Sequence, residues 1–527
     1  MFRLLKNIDK FAGAIVLFGL VAACFTESKA QTSKPEQPNI ILFLVDDLGW
    51  QDTSVPFSGE KTPFNEIYRT PNMDRLARNG TTFTNAYSAS PVCTPTRVSI
   101  MTGKNPARSN ITNWTFNNDV EAQETAPKRY PLRSPRWEVS GLQPGDVSLP
   151  SLLKEKGYRT IHVGKAHFGA FGTPGADPTK LGFEVNIAGH AAGMPGSYYG
   201  WENFMRNSSK PSTRDVPGLE EYHGKDINLT RALTFEANEA IEESVKDGKP
   251  FFMNMAHYAV HTPIMADSGF VPLYPELSNR EAAYASMIQS VDASLGTLLD
   301  KLKHMDIARE TLILFMSDNG GLSAHSRGVT VAGTRLNMHN LPLRSGKGSA
   351  YEGGIRVPMI AAWAQPDSGQ QAALSIPEGH RSAVPVISHD LFPTILDMAG
   401  GEIADDYQKD GKSLVSLMTN NSNNLKERAL YWHYPHKWGP VGPGLDPFTA
   451  IRKGKWKLIY FYNDKKWELY NLNNDLSETR QLTPRRQTVA QELSGQMLSW
   501  MKRVDAQLPI DKRDGKPVEM PAYGTSN

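Results

Sequence analysis

Cysteine is nearly absent from this 527-residue chain, which has only Cys24 and Cys93. Two thiols cannot build a disulfide framework, and a chain of this length buries a large core without one. A dominant charge sign is also lacking, since 57 Lys and Arg face 55 Asp and Glu. That balance excludes a nucleic-acid binder held by a basic face. Beyond the N-terminus no apolar run is long enough to span a membrane. What remains is a globular chain, 39% hydrophobic. At roughly 100–200 residues per domain it has room for two to four units, or for one large domain with an appendage.

The N-terminus reads as an export signal. Arg3, Lys6 and Lys10 precede the apolar run Phe11 to Ala23, too short for a comfortable transmembrane helix and suited to a signal-peptide core. Two cleavage readings stand side by side. Residues 1–30 form an ordinary signal ending at Ser28-Lys29-Ala30, or residues 1–23 form a lipoprotein signal in which Val21-Ala22-Ala23-Cys24 acts as a lipobox and Cys24 is lipidated. Polar residues 31–38 then serve as a tether. The expected location is the periplasm or the cell surface, with membrane contact only through a lipid anchor at Cys24. If Cys24 belongs to the signal, Cys93 is the single thiol of the folded part.

Asn39 to Val45 is a continuous apolar run that ends at Asp46-Asp47-Leu48-Gly49, and Thr311 to Met316 is a second that ends at Ser317-Asp318-Asn319-Gly320. Such runs suit strands buried on both faces of a parallel sheet. Arg159 to Gly164, Phe251 to Met255 and Pro358 to Trp363 are further strand candidates. Helical patterns at Ser148 to Lys156, Glu281 to Leu302 and Asp390 to Met398 fall between or after them. The expected fold is α/β, a large mainly parallel sheet flanked by helices over residues 39–420. Residues 421–527 are expected to add a smaller α+β subdomain. In it Ala450 to Tyr462 and Trp467 to Leu472 form an antiparallel hairpin, and Val489 to Leu508 a last helix. Residues 105–147 and Pro174 to Pro217 read as long loops.

The chemistry gathers at the strand ends, where open α/β sheets bind ligands. Asp46, Asp47, Asp318 and Asn319 would meet there. Three carboxylates and an amide are hard oxygen donors that suit Ca²⁺ or Mg²⁺. In Cys93-Thr94-Pro95-Thr96-Arg97, Pro95 fits a first helical turn. That puts Cys93 at a helix N-terminus, where backbone N–H groups favour an anion, with Arg97 on the same face. This is a pocket for a tetrahedral oxyanion. Lys165 and His167, on one side of an extended chain, would add a cation and a proton carrier. His257 and His261 flank another strand end. Arg344 to Gly354 is a Gly-rich loop carrying Lys347.

In order and in kind, these motifs resemble the type I, formylglycine-dependent sulfatases of the alkaline-phosphatase-like superfamily, from about Asn39 to Asp475. The strongest element is C-x-P-x-R at Cys93 to Arg97, followed by Met101-Thr102-Gly103. Thr96 departs from the usual serine but keeps a hydroxyl. The resemblance implies that a maturase oxidises Cys93 to Cα-formylglycine (3-oxoalanine), whose hydrate is the nucleophile. It implies one Ca²⁺ on Asp46, Asp47, modified Cys93, Asp318 and Asn319. Cys93, His167, His261, Asp318 and Lys347 would be catalytic, and Arg97 and Lys165 would hold the sulfate. His261, in His-Thr-Pro, matches the family histidine and His257 does not. Ser388-His389-Asp390, Asp410 to Leu414 and Glu468 to Leu472 also resemble family segments, with structural roles.

The implied function is an exported sulfatase acting on carbohydrate sulfate esters. The expected action is from the chain end, on oligosaccharides of ulvan, carrageenan or glycosaminoglycan type. Tyr431-Trp432-His433-Tyr434-Pro435-His436 is loosely similar to segments of carbohydrate sulfatases, which makes His433 the candidate sugar-binding residue. The rival reading is a phosphonate monoester hydrolase or phosphodiesterase of the same superfamily.

Overall fold

Asn39–Val45 forms β1, the strand expected from its apolar run. This is a computed structural model; it describes residues 37–119, 124, 126–206, 212–327, 339–367, 369, 371, 374–421, 425–439 and 442–524. The expected export segment with Cys24, and the expected tether up to residue 36, lie outside the described residues. Residues 37–527 form one compact unit.

All seven residues of β1 are buried, so its side chains alternate between two cores instead of core and solvent. β1 lies within an eight-stranded sheet with β2 (Gly80–Phe83), β3 (Arg159–Gly164), β4 (Val185–Ile187), β5 (Phe251–Ala256), β6 (Thr311–Ser317), β7 (Met359–Trp363) and β8 (His380–Ser382). The order is β8-β2-β7-β6-β1-β5-β3-β4. β7 runs antiparallel to β2 and β6, and the other pairings are parallel.

Helices α1 (Cys93–Thr102), α2 (Leu229–Lys246), α3 (Asn279–His304) and α4 (Leu391–Met398) pack against this sheet. Ile41, Phe43 and Val45 pack with Leu233 and Ala237 of α2 and Ile288 and Val291 of α3. Ile40, Leu42 and Leu44 pack on the other side with Val98 and Met101 of α1 and Phe392 and Ile395 of α4. At roughly 1.5–3 kcal/mol per fully buried large apolar side chain, these two cores are the main force holding the sheet.

Register levels the carboxyl ends of the central strands. Val45 of β1 pairs with Ser317 of β6, Leu44 with Ala256 of β5, and Ala256 with Gly164 of β3. Asp46, Asp318, His257 and Lys165 therefore leave the sheet at nearly one height.

The C-terminal region differs from expectation in one respect. Ala450 to Tyr462 is not a single strand. β9 (Ala429–Tyr434), β10 (Phe448–Lys453), β11 (Trp456–Phe461) and β12 (Lys466–Asn471) make a four-stranded antiparallel sheet. The break falls at Gly454, whose φ of 54° is a turn conformation. Helix α5 (Gln487–Arg503) covers one face, where Ile451, Leu458 and Leu469 meet Leu493 and Met497. The other face packs on the large sheet's unit, where Trp432 and Tyr434 meet Tyr87, Val92 and Tyr351.

Candidate active site

Four neighbouring strands, β6, β1, β5 and β3, deliver the site from their carboxyl ends. Asp46, Asp47, Asp318 and Asn319 are fully buried. Asp318 Oδ1 accepts from the backbone N–H of Asp47 (3.2 Å), which ties the two acidic turns together. Cations surround the carboxylates. Lys165 Nζ is 2.6 Å from Asp46 Oδ2, Lys347 Nζ 2.5 Å from Asp47 Oδ1, and Arg97 Nε 2.8 Å from Asp318 Oδ2.

Burial, with Asp318 adding to it, pushes the Asp46 carboxyl well above the usual range. Burial has the same tendency at Asp47, but Lys347, His261 and Lys165 overcome it and hold that carboxyl below the usual range. Arg97 and Lys165 do the same for Asp318. Unequal environments thus set three neighbouring carboxyls apart.

Cys93 opens helix α1, all ten residues of which are buried. The N-cap, Val92, has no side-chain acceptor, so the first-turn N–H groups are left for an anion. Cys93 Sγ is 3.5 Å from Asp46 Oδ1 and 3.3 Å from Lys347 Nζ. Burial pushes its thiol up to about 12, outweighing Lys165 and Lys347. Burial thus favours the un-ionised form of an unmodified Cys93 thiol. Arg97 uses Nη1 on the Lys165 carbonyl (2.7 Å), while its Nη2 is buried without a hydrogen-bond acceptor.

The histidines are neutral. Burial holds His167 well below its ordinary value, and Lys165 adds to this. Burial and then Lys347 lower His261 to about 3. His167 Nε2 donates to the Thr115 carbonyl (2.7 Å). That contact assigns the tautomer and leaves Nδ1, buried and unpartnered, as the basic atom. His261 Nδ1 donates to the Thr262 carbonyl (2.9 Å), and its Nε2 lies 3.5 Å from Asp47 Oδ2. Lys347 reaches the site on the Gly-rich loop. At Gly348 φ is +86°, and a Cβ would lie 1.7 Å from Trp438, so glycine is required for Trp438 to close over Lys347.

The structure brings together Asp46, Asp47, Cys93, Arg97, Lys165, His167, His261, Asp318, Asn319 and Lys347. Two expectations need correction. Lys165 and His167 do not share a side of an extended chain, because Gly164 (φ 93°) and His167 (φ 55°) turn the backbone there. They meet through that turn, and a Cβ at Gly164 would sit 2.1 Å from the Ala256 carbonyl.

The second correction is His433, which is not available to a sugar. It is buried, with Nδ1 on Thr449 Oγ1 and Nε2 on the Gln507 carbonyl, both at 2.7 Å. Strand alternation places it opposite Trp432 and Tyr434, which face the catalytic unit. His257 likewise points away, to Ser294 Oγ of α3 (2.9 Å).

Sequence reasoning missed Thr115, which orients His167, and Trp438, which walls Lys347 at 5.9 Å from its ring centre. It also missed Tyr198, whose hydroxyl donates to the carbonyls of Tyr258 and His261 (2.7 and 2.9 Å). The long unassigned loop around Thr115 was the available signal.

The residues fit a hard divalent cation. One donor atom from each of Asp46, Asp47, Cys93 and Asp318 lies within 4.8 Å of the others. Asp47 Oδ2 and Asn319 Oδ1 are buried and accept no hydrogen bond. Orphaned buried oxygens beside carboxylates are the donor set such a cation takes.

An acidic cup at parallel strand ends, a nucleophile position on a helix N-terminus and flanking Lys, Arg and His define a hydrolase of oxyanion esters. Residues 38–401 match the Sulfatase family model, and residues 346–506 match the model for N-sulphoglucosamine sulphohydrolase, C-terminal. The chain belongs to the sulfatase family of the alkaline-phosphatase-like superfamily and is a sulfuric ester hydrolase. A sulfatase from Formosa agariphila is 28% identical over 98% of each chain. Human N-acetylgalactosamine-6-sulfatase is 31% identical, over 84% of this chain and 75% of that one. The crystal structure of Ps i-CgsB, also solved with k-i-k-neocarrahexaose, is 30% identical with a TM-score of 0.69, over 88% of this chain and 93% of that one. The family generally carries a divalent metal and a formylglycine.

Proposed function

We propose that the protein is an exported carbohydrate sulfatase. It removes sulfate from galactose or N-acetylgalactosamine units at the ends of polysaccharide-derived oligosaccharides, with Cys93 converted to Cα-formylglycine. Asp46, Asp47, residue 93, Asp318 and Asn319 would hold one Ca²⁺. Ps i-CgsB and human N-acetylgalactosamine-6-sulfatase, both near 30% identity, support the sugar class. The carrying observation is the buried, un-ionised Cys93 set among unpartnered oxygen donors and cations. When bound, the hydrated formylglycine supplies a hydroxyl nucleophile and the cation neutralises sulfate oxygens.

The chain's own residues do the rest. Arg97 Nη2, which makes no hydrogen bond and stands 3.7 Å from Asp46 Oδ1, binds a sulfate oxygen, and Lys165 adds charge beside it. Lys347 Nζ, 3.3 Å from residue 93, and His261 stand where a departing alkoxide gains charge, and Lys347 gives it a proton. Neutral His167 accepts a proton at Nδ1, with Nε2 anchored on Thr115.

A panel of aryl sulfate, phosphate and phosphonate esters, run with sulfated galactan and glycosaminoglycan oligosaccharides, tests this reading. Sulfate hydrolysis should dominate, stop on chelation with EDTA and return with Ca²⁺. Preference for a phosphorus ester, or activity indifferent to chelation, would reject it.

A further inference from the structure

The segment that carries His261 continues into a second pocket. Tyr199 and Trp201 stack there, ring centres 4.1 Å apart and planes 20° apart. They line a surface pocket together with Asp226, Asn228, Arg231 and Asp267. Trp201 is 47% exposed, the largest value for a large apolar side chain among the described residues. An exposed tryptophan ringed by polar groups is a contact surface awaiting a ligand with an apolar face and polar edges.

Charge in the pocket is open. Arg231 is exposed and makes no ion pair among the described residues. Asp267 makes no ion pair with it among the described residues, and its two oxygens accept from Gly269 N and Ser290 Oγ, each at 2.9 Å. Asp226, also exposed and without an ion pair among the described residues, offers a carboxylate for hydroxyl groups.

The pocket is held in register with the active site. Tyr198 is bonded to the carbonyls of Tyr258 and His261, and the next residue, Tyr199, donates to the Ala266 carbonyl at 2.9 Å. Asp267 lies six residues after His261, and six residues span at most about 20 Å. The pocket wall at Asp267 therefore lies within about 20 Å of His261.

We propose that Tyr199, Trp201 and Arg231 form a distal subsite for another sulfated sugar unit of the same substrate chain. Trp201 covers the apolar face of the ring, Arg231 pairs with its sulfate in a fork geometry, and Asp226 accepts from its hydroxyls. This subsite rests on the carbohydrate reading above and extends it from one sugar to an oligosaccharide.

The test compares kcat/KM for hexasaccharides and disaccharides from ι-carrageenan and chondroitin sulfate, with an aryl sulfate as reference. The expected result is that the hexasaccharide-to-disaccharide ratio falls about tenfold or more in Trp201→Ala and recovers in Trp201→Phe. Arg231→Gln should remove only the part of that ratio that depends on a sulfate on the distal unit. A ratio unmoved by Trp201→Ala, or an equal fall on disaccharide and hexasaccharide, overturns the subsite alone. A wild-type enzyme that cleaves the aryl sulfate and no oligosaccharide overturns the carbohydrate reading, and the subsite with it.

Discussion

Thr96 stands where the signature it resembles carries serine, and its surroundings show why a hydroxyl is needed. It is fully buried. Its Oγ1 accepts from the Ser90 backbone N–H (3.2 Å) and donates to the Ser90 carbonyl (3.1 Å). That pair fixes the chain entering helix α1 and so the position of residue 93. Thr96→Ser keeps both bonds and should change stability little. Thr96→Val leaves a buried N–H unpaired and should cost about 1–3 kcal/mol, read as a lower urea midpoint at unchanged slope. A valine variant as stable as wild type would show that the hydroxyl does not hold this turn. His167 makes a related point, since a backbone carbonyl far from any motif decides which of its nitrogens is basic.

At the scale of elements, legibility followed the strength of the local signal. β1 and β6 read directly from their apolar runs, because a strand buried on both faces shows no polar alternation and ends sharply at its acidic turn. The acidic cup came with those boundaries, while helix α1 was read from Pro95 in a first helical turn. α2 was not recognised, although Leu229, Ala232, Leu233, Ala237, Ala240 and Ile241 form its buried face. Alanine fills much of that stripe and mutes the periodicity. The edge strands β4 and β8 have three residues each, too few to carry a pattern. His433 was misassigned because a strand's two faces cannot be told apart before its packing partners are known. Thr115 and Trp438 reach the site through loops, and no spacing rule links either to Cys93.

For the whole molecule, the distribution of buried histidines sets the response to acid. Burial lowers His162 and His257 to about 3 and His190 and His433 to about 4. In the unfolded chain they take protons below about 6.5. Their contribution is therefore complete above that pH and drains away as pH falls toward 4, at about 1.4 kcal/mol per pH unit for each. Asp292 and Glu478 act in the opposite sense, because burial raises their carboxyls to about 6 and about 7. His167, His261, His389 and His436 are lowered in the same way and Asp46 and Glu236 raised, so eight histidines against four carboxyls leave a net loss of stability between about pH 6 and pH 4.5. The melting temperature should fall across that window, and a flat or rising one would contradict the assignment of these histidines as buried and neutral.

The catalytic account turns on residue 93, which opens helix α1 and whose thiol burial holds un-ionised. The most direct measurement is mass spectrometry of the peptide containing residues 93–97, taken from active enzyme produced with a formylglycine-generating maturase. The account predicts an aldehyde in place of the thiol, in a fraction that tracks specific activity. Fully active enzyme with unmodified Cys93 would contradict it.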